Sequence, residues 1–240
     1  GLVMPTPLAV MKAGELYRKA TGRDTIIIDM GGATTDIHSF ADGRPRSGGR
    51  IVKGPPEPLI KRTVEGDLGM RVSLPALLEV ISPEELARSL PFAAEASEVL
   101  AYARRAARSR SLLPGDERER AFDGAIAAAA IREALRRHAG SLTETYTPQG
   151  RLWVQQGKDL TAVAAVIATG GILVHSENPG TPLRAGLAQD DPLVLTPRSP
   201  QLFLDRSYIL ASVGLLAESR PEAAQVILEE TLQPWGGMAG

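Results

Sequence analysis

Cysteine is absent from the 240 residues. That excludes disulfide scaffolds, zinc ribbons, iron–sulfur clusters and thiol nucleophiles, and it permits a reducing cytoplasm. Three histidines are too few for a His-rich metal centre, and none are spaced as HxxxH. An excess of one charge is also missing: 27 Lys and Arg stand against 28 Asp and Glu, a formal net charge of −1. No electrostatic footprint for nucleic acid or anionic lipid follows from that balance. The longest segment free of charged residues, Leu160 to Ser176, holds Gly170 and Gly171 and covers 17 positions, short of the roughly 20 apolar residues a membrane span needs. The opening GLVMPTPLAVMK has no basic leader before an apolar stretch, so no secretory signal is expected. It starts with Gly1 rather than Met, which reads as a piece of something longer. What is present, 43% hydrophobic and 23% charged residues, suits a soluble globular chain of one or two domains and excludes disorder as its main character. A cytoplasmic setting is expected, with no membrane and no nucleic-acid partner.

Local patterns divide the chain. Pro5 and Pro7 open a helix that Gly22 closes, with Leu8, Met11, Leu16 and Ala20 on one side. The β-branched run Asp24-Thr25-Ile26-Ile27-Ile28-Asp29 suits a strand buried on both faces, and Met30-Gly31-Gly32-Ala33 forces a turn into a second strand, Thr35 to Phe40. Ala41-Asp42-Gly43-Arg44-Pro45 then connects to a third strand near Arg50 to Val52, giving an antiparallel meander. Gly54-Pro55-Pro56-Glu57-Pro58 marks a boundary before a mixed loop and helix region. Helical signals dominate from there: Ser82-Pro83-Glu84-Glu85 is a capped start, Phe92 to Ala107 keeps helical spacing, and an Ala-rich helix runs from Glu117 to His138. Residues 142–156 read as a hairpin around Pro148-Gln149-Gly150. Val163 to Thr169 is a buried strand or the end of a helix leading into one. A Pro- and Gly-rich loop, a strand at Gln201 to Leu204 and helices at Ser207 to Glu218 and Pro221 to Leu232 complete the pattern. The Arg104, Arg105, Arg108 and Arg110 cluster reads as a solvated helix end.

The stretch with chemistry in it is Asp29-Met30-Gly31-Gly32-Ala33-Thr34-Thr35-Asp36. Two carboxylates sit at the two ends of a Gly-Gly turn between strands, so a hairpin brings them together. Glycines let backbone amides approach a phosphate and tolerate positive φ, and threonine hydroxyls donate to phosphate oxygens. Mg²⁺ takes oxygen ligands, keeps several waters and is held beside phosphates by one or two carboxylates. The alternative is a glycine hairpin whose Asp and Thr side chains cap their own backbone.

This motif after an apolar strand resembles the second phosphate motif of the actin, sugar kinase and Hsp70 ATPase superfamily, with the preceding helix in the place of its interlobe helix. Val166 to Ile172, with Gly170-Gly171, resembles the superfamily's adenosine motif, and Asp205 to Gly214 its second interlobe helix. A closer match is to the glutamate mutase accessory family, also called MutL or GlmL, of proteins that serve adenosylcobalamin-dependent mutases. IIIDMGGATTDIHS (26–39), RTVEGDLGMR (62–71), QGKDLTAVAAVIATGG (156–171) and LDRSYILASVGLL (204–216) carry it. Hydantoinase and oxoprolinase proteins share the DxGGxTTD segment, so an ATP-using enzyme lobe of that kind is one alternative and a nucleotide-free scaffold another.

The resemblance implies an α/β fold, the C-terminal lobe of an actin-like ATPase with an RNase H-like sheet. Residues 1–71 and 141–240 would form the ATPase subdomain and 72–140 an inserted helical subdomain. It implies an ATP-binding, chaperone-like factor that reactivates a cobalamin mutase, with the mutase subunits and the missing N-terminal lobe of the same protein as partners. Asp29 and Asp36 would handle Mg²⁺ through water, Gly31, Gly32, Thr34 and Thr35 the phosphates, and Gly170 and Gly171 the nucleoside. Glu65 and Asp67 occupy the place where relatives bring a loop towards the nucleotide, or else cap the next helix. The superfamily's first phosphate motif is missing, and Val3-Met4-Pro5 stands where an acid positions the attacking water. No general base is therefore assigned, and weak nucleotide binding with negligible turnover is expected. His38 shares the face of Asp36 as a second layer or as packing, His138 suits a helix C-terminal dipole, and Tyr146 and Trp153 suit packing in the hairpin.

Overall fold

The computed structural model describes residues 4–46, 49–148 and 150–235. In chain order the elements are α1 (Thr6–Thr21), β1 (Thr25–Met30), β2 (Thr35–Phe40), β3 (Arg50–Lys53), β4 (Ile60–Glu65), α2 (Leu74–Val80), α3 (Pro83–Arg88), α4 (Ala96–Arg108) and α5 (Glu117–His138). They continue with β5 (Ser141–Thr147), β6 (Gly150–Gln156), β7 (Ala165–Thr169), α6 (Gly171–Val174), α7 (Gly180–Leu187), β8 (Gln201–Leu204), α8 (Leu210–Ala217), α9 (Pro221–Thr231) and β9 (Gln233–Trp235). The fold is mixed α/β. A six-stranded sheet has the order β4-β2-β1-β7-β8-β9, and a three-stranded sheet the order β3-β6-β5. In the larger sheet β4, β2 and β1 are antiparallel, β7 and β8 add parallel to β1, and β9 turns back antiparallel.

Strand alternation divides the core into two clusters, because successive side chains leave opposite faces of a sheet. Ile26, Ile28, Met30, Ile37, Val166 and Ala168 point into a cluster with the helical residues 74–135. Ile27, Phe40, Ala165, Ile167 and Phe203 point into a second one under α1, α8 and α9. With both faces covered, β1 is apolar from Ile26 to Ile28, whereas β2 buries Thr35, Asp36, His38 and Ser39 among its apolar neighbours.

Helix α1 starts at its prolines and ends at Gly22, whose φ of 67° provides the left-handed cap while its N–H donates to Arg18 O at 2.8 Å. Its buried residues are Ala9, Val10, Ala13, Gly14 and Tyr17, not the expected Leu8, Met11, Leu16 and Ala20; Leu8 is 41% exposed. Small residues share this face with Val10 and Tyr17 because α8 comes close at Ala9 and the sheet comes close at Gly14. A Cβ on Gly214 would lie 1.7 Å from Ala9 O, and one on Gly14 would strike the Phe40 ring at 2.2 Å.

The helical stretch behaves as its caps dictate. Ser82 Oγ accepts from Glu85 N at 3.1 Å, and Asp116 Oδ1 accepts from Glu119 N at 2.8 Å to start α5. Phe122 of α5 packs edge-on against Phe92 and tilted against Tyr102. The length of α5 crosses β2 and β4. Gly140 just beyond it is needed for contact, since a Cβ there would meet Gly157 C at 2.6 Å.

Four expectations need correction. The third strand of the meander is β4, at 60–65, where a mixed loop and helix region was expected; β3 at 50–53 instead joins the small sheet parallel to β6. The Gly-Pro boundary turns the chain before β4, whose Ile-Lys-Arg-Thr-Val-Glu is too polar to announce a strand that lies at a sheet edge. The Pro- and Gly-rich loop contains helix α7, packed on α5. His138 is fully buried with both ring nitrogens engaged, to Thr63 Oγ1 at 2.9 Å and Ser39 Oγ at 2.8 Å. Burial, with Lys61 and Lys158 nearby, lowers it to about 3, so it is neutral and does not charge the helix end. Tyr146 is 77% exposed rather than packed, while Arg151 lies 4.9 Å over the Trp153 ring. Gln149 of the hairpin turn lies outside the described residues.

The α1–α8 contact predicts that Gly214→Val is destabilising by about 3 kcal/mol or more through overpacking, a fall in Tm of roughly 6–12 °C for a chain of this size. Gly66→Ala, with nothing within 4 Å of the added Cβ, melts with the wild type. Thermal denaturation followed by circular dichroism checks both.

Candidate functional site

The strand ends assemble an acidic cluster. Asp29 pairs with Asp36 across β1 and β2 and with Thr169 across β1 and β7, so alternation places all three side chains on the face that carries Ile27 and Phe40. Asp205, just past β8, joins them because its N–H donates to Ala168 O at 2.9 Å. Its carboxylate accepts from Thr169 Oγ1 at 2.9 Å and from the Ile209 and Leu210 N–H groups, both at 3.0 Å. Asp205 is thus fixed by the start of α8. On the other flank Arg62 of β4 donates to Asp36 Oδ2 at 2.8 Å. Asp36 Oδ1 is buried without a hydrogen-bond partner among the described residues, and no described group hydrogen-bonds the Asp29 carboxylate.

Burial, first, then the charges of Asp36 and Asp205 push Asp29 up to about 6, against a smaller opposing pull from Arg62. Such a cluster favours a bound cation. Among the described residues no group of three or more His, Asp or Glu is arranged to grip a metal ion directly; the acids suit a cation that keeps its waters. Tyr208 lies beside them with φ 52°, a left-handed conformation uncommon for a non-glycine. Burial and then Asp29 and Asp205 raise its phenol.

Tyr208 also borders a cleft of about 930 Å³ whose walls include Gly31, Gly32, Arg71, Ala129 and Gly171. Both Gly-Gly segments therefore open on one space, because β1 and β7 are adjacent and parallel and both turns leave their C-terminal ends. Gly31 N donates to Thr34 O at 2.9 Å, closing the first turn. Neither Gly31 nor Gly32 has positive φ, so the conformational reason expected for glycine there does not hold; what they leave is open wall. Gly170 does need glycine: its φ is 97° and a Cβ would lie 2.2 Å from Met30 O. It faces the Met30 backbone.

The remaining expected residues are dispersed. Thr34 is half-buried in the turn. Thr35 points to the opposite face from Asp36 and donates to Leu68 O at 2.7 Å, so its hydroxyl is already committed. Glu65 and Asp67 are held by Arg137 of α5, at 2.9 Å for Glu65 and 2.7 and 2.8 Å for Asp67, which ties them to the helical side and away from Asp29. Pro5 N-caps α1 and Met4 precedes it, while Val3 lies outside the described residues. Sequence reasoning missed Arg62, Thr169, Asp205 and Arg71. Arg71 is buried, donates to Asp123 at 3.1 and 2.8 Å, and its N–H donates to Gly32 O at 2.8 Å. The available signal was position: Thr169 ends a buried strand, and Asp205 precedes a helix as an N-terminal cap would.

A family model described as MutL protein matches residues 1–232. Protein MutL of Clostridium tetanomorphum is 43% identical over 238 residues, which take in 97% of this chain and 51% of the relative. The chain thus spans about half the length of the curated relative it matches.

The cluster sets a pH dependence. Asp29 is raised above an unfolded aspartate, so between about pH 4 and about pH 6 the native state holds a proton that the unfolded state releases. That contribution is present below the window and lost as pH rises through it. Asp29→Asn should therefore be more stable than wild type at pH 7, on the order of 2 kcal/mol, and should flatten that part of a Tm-against-pH curve; an unchanged curve contradicts the cluster. Arg137→Met should lower Tm at neutral pH, with the deficit shrinking in acid as Asp67 protonates, since Arg137's hydrogen bonds hold the Asp67 carboxyl low.

Proposed function

The chain belongs to the MutL protein family, and from that premise we propose that it is the nucleotide-binding lobe of an actin-like ATPase that acts as an accessory, reactivating factor for an adenosylcobalamin-dependent mutase. The six-stranded sheet, with three antiparallel strands at one edge and parallel additions beyond β1, supports an RNase H-like lobe. The helices between residues 74 and 138 would be its inserted subdomain. The observation that carries the proposal is the meeting of Gly31-Gly32 and Gly171 on one cleft, which Tyr208 joins to a partly buried acid cluster. Phosphate chemistry of this type rests on positioning and charge stabilisation, and a cleft with open glycine walls near a cation site provides for both.

Asp29 and Asp36 would hold Mg²⁺ through its waters. Three carboxylates against the single guanidinium of Arg62 leave a net negative charge that fits a hydrated dication. Mg²⁺ supplies the positive charge that lets polyphosphate approach these carboxylates. Gly31 and Gly32 would face the phosphates, and Gly171 with the alanine-lined wall of α5 the nucleoside. In this reading Thr35, Glu65 and Asp67 support the loop and do not touch the ligand. The mutase subunits and a further lobe of the longer protein would be the partners.

Ligand binding to the native state stabilises it by RT ln(1 + [L]/Kd). A Kd of about 1 mM probed at about 10 mM Mg-ATP is worth about 1.4 kcal/mol, or about 3–5 °C in Tm. Gly32→Val, which has room for its Cβ at 3.6 Å from Arg71, should fold and lose the shift, whereas Arg137→Met should keep it. Gly170→Val is the weaker probe because its side chain meets Met30. A shift equal in wild type and Gly32→Val would contradict nucleotide binding at the turn.

A further inference from the structure

His38 lies on β2 between Asp36 and Phe40, on the same face as both, and is fully buried. Its register neighbours are Ile27 on β1 and Arg62 on β4. Ile27 offers no polar atom, and Arg62 is directed to Asp36. Both nitrogens of the His38 ring therefore have no hydrogen-bond partner among the described residues. The other buried histidine, His138, has both of its nitrogens paired.

A buried polar ring without partners is unfavourable where an apolar side chain of similar size would pack, and such violations of local consistency concentrate at functional positions. Asp36 Oδ1, the other orphaned atom of this strand face, is two residues away, about 7 Å along a strand. The two side chains thus stand next to one another along one strand face, each with an unpaired buried polar atom. A neutral imidazole offers one N–H donor and one lone pair. A carboxylate oxygen that only accepts and an imidazole that does both suit a single bridging water, which needs two or more polar partners.

We propose that Asp36 Oδ1 and the His38 imidazole together hold a buried water, and that His38 is thereby a positioning residue which, with Arg62 on the other oxygen, fixes the orientation of Asp36. The importance of that orientation for a divalent cation rests on the Mg²⁺ reading above.

The test compares wild type, His38→Leu and His38→Gln in Mn²⁺ titrations followed by the electron paramagnetic resonance of free Mn²⁺, with and without ATP, alongside thermal melts. His38→Leu should melt no lower than wild type yet bind Mn²⁺ about tenfold more weakly, the usual loss when a supporting hydrogen bond to a metal site is removed. His38→Gln, which keeps a donor and an acceptor, should recover most of that affinity. Wild-type affinity in His38→Leu overturns the positioning role. A Tm loss in His38→Leu with Mn²⁺ affinity unchanged assigns the ring to packing and overturns it as well. If wild type binds no Mn²⁺, the cation reading falls, and a high-resolution crystal structure decides the rest: a water bonded to both Asp36 Oδ1 and His38 supports the pairing, and its absence overturns it.

Discussion

Carboxylates gathered in a partly buried space repel one another and lose hydration, so a fold that gathers them must hold them by other means. Here the means is strand register. Asp29 faces Asp36 because β1 and β2 pair antiparallel across a four-residue turn. Asp205 arrives because β8 is two strands away in a parallel arrangement, and its oxygens are occupied by the start of α8. Arg62 can counter Asp36 only because β4, and not β3, adds to the edge of the sheet. Displacing any one of these strands by a single residue would turn its carboxylate or guanidinium to the opposite face.

The same register brings the two glycine segments of the sequence to one space. Parallel pairing of β1 with β7 brings two glycine turns separated by about half the chain to the same end of the sheet, the usual place for ligands in sheets of this kind. The segment from Glu65 to Ser73 then fastens the first turn to the helices. Met70 N donates to Gly31 O at 3.1 Å, Ser73 Oγ to Ala33 O at 2.6 Å, and Arg71 and Arg137 fix its two ends to α5 through Asp123 and through Glu65 and Asp67. That gives RTVEGDLGMR a physical role as a bracket behind the turn.

Much of this was legible in the residues. The Ile run of β1, the caps Ser82 and Gly22, and the span of α5 follow from local chemistry, and the Asp29–Asp36 pairing follows from a two-ended hairpin. Other features depended on partners remote in sequence. Strand β4 is polar because it is an edge, and only the position of β2 shows what it pairs with. The buried face of α1 is hidden from local pattern because large apolar residues usually mark the inside, while here α8 requires small residues at Ala9 and Ala13 and the Phe40 ring requires Gly14. Thr35 and Asp36 are adjacent in sequence, yet alternation sends them to opposite faces, so a motif read as a string counted one hydroxyl too many. Glu65 and Asp67 were drawn away by Arg137, which lies 70 positions further on and gives no local sign of that partnership.

In the proposed reading the acids at the strand ends hold a hydrated cation. Carboxyl carbon NMR of the chain, with Asp29 identified by its loss in Asp29→Asn, reads this directly when titrated with and without MgCl₂. The expected midpoint is near 6 in the absence of the ion, with a clear fall when Mg²⁺ is added. A midpoint in the ordinary aspartate range, unmoved by Mg²⁺, would contradict it.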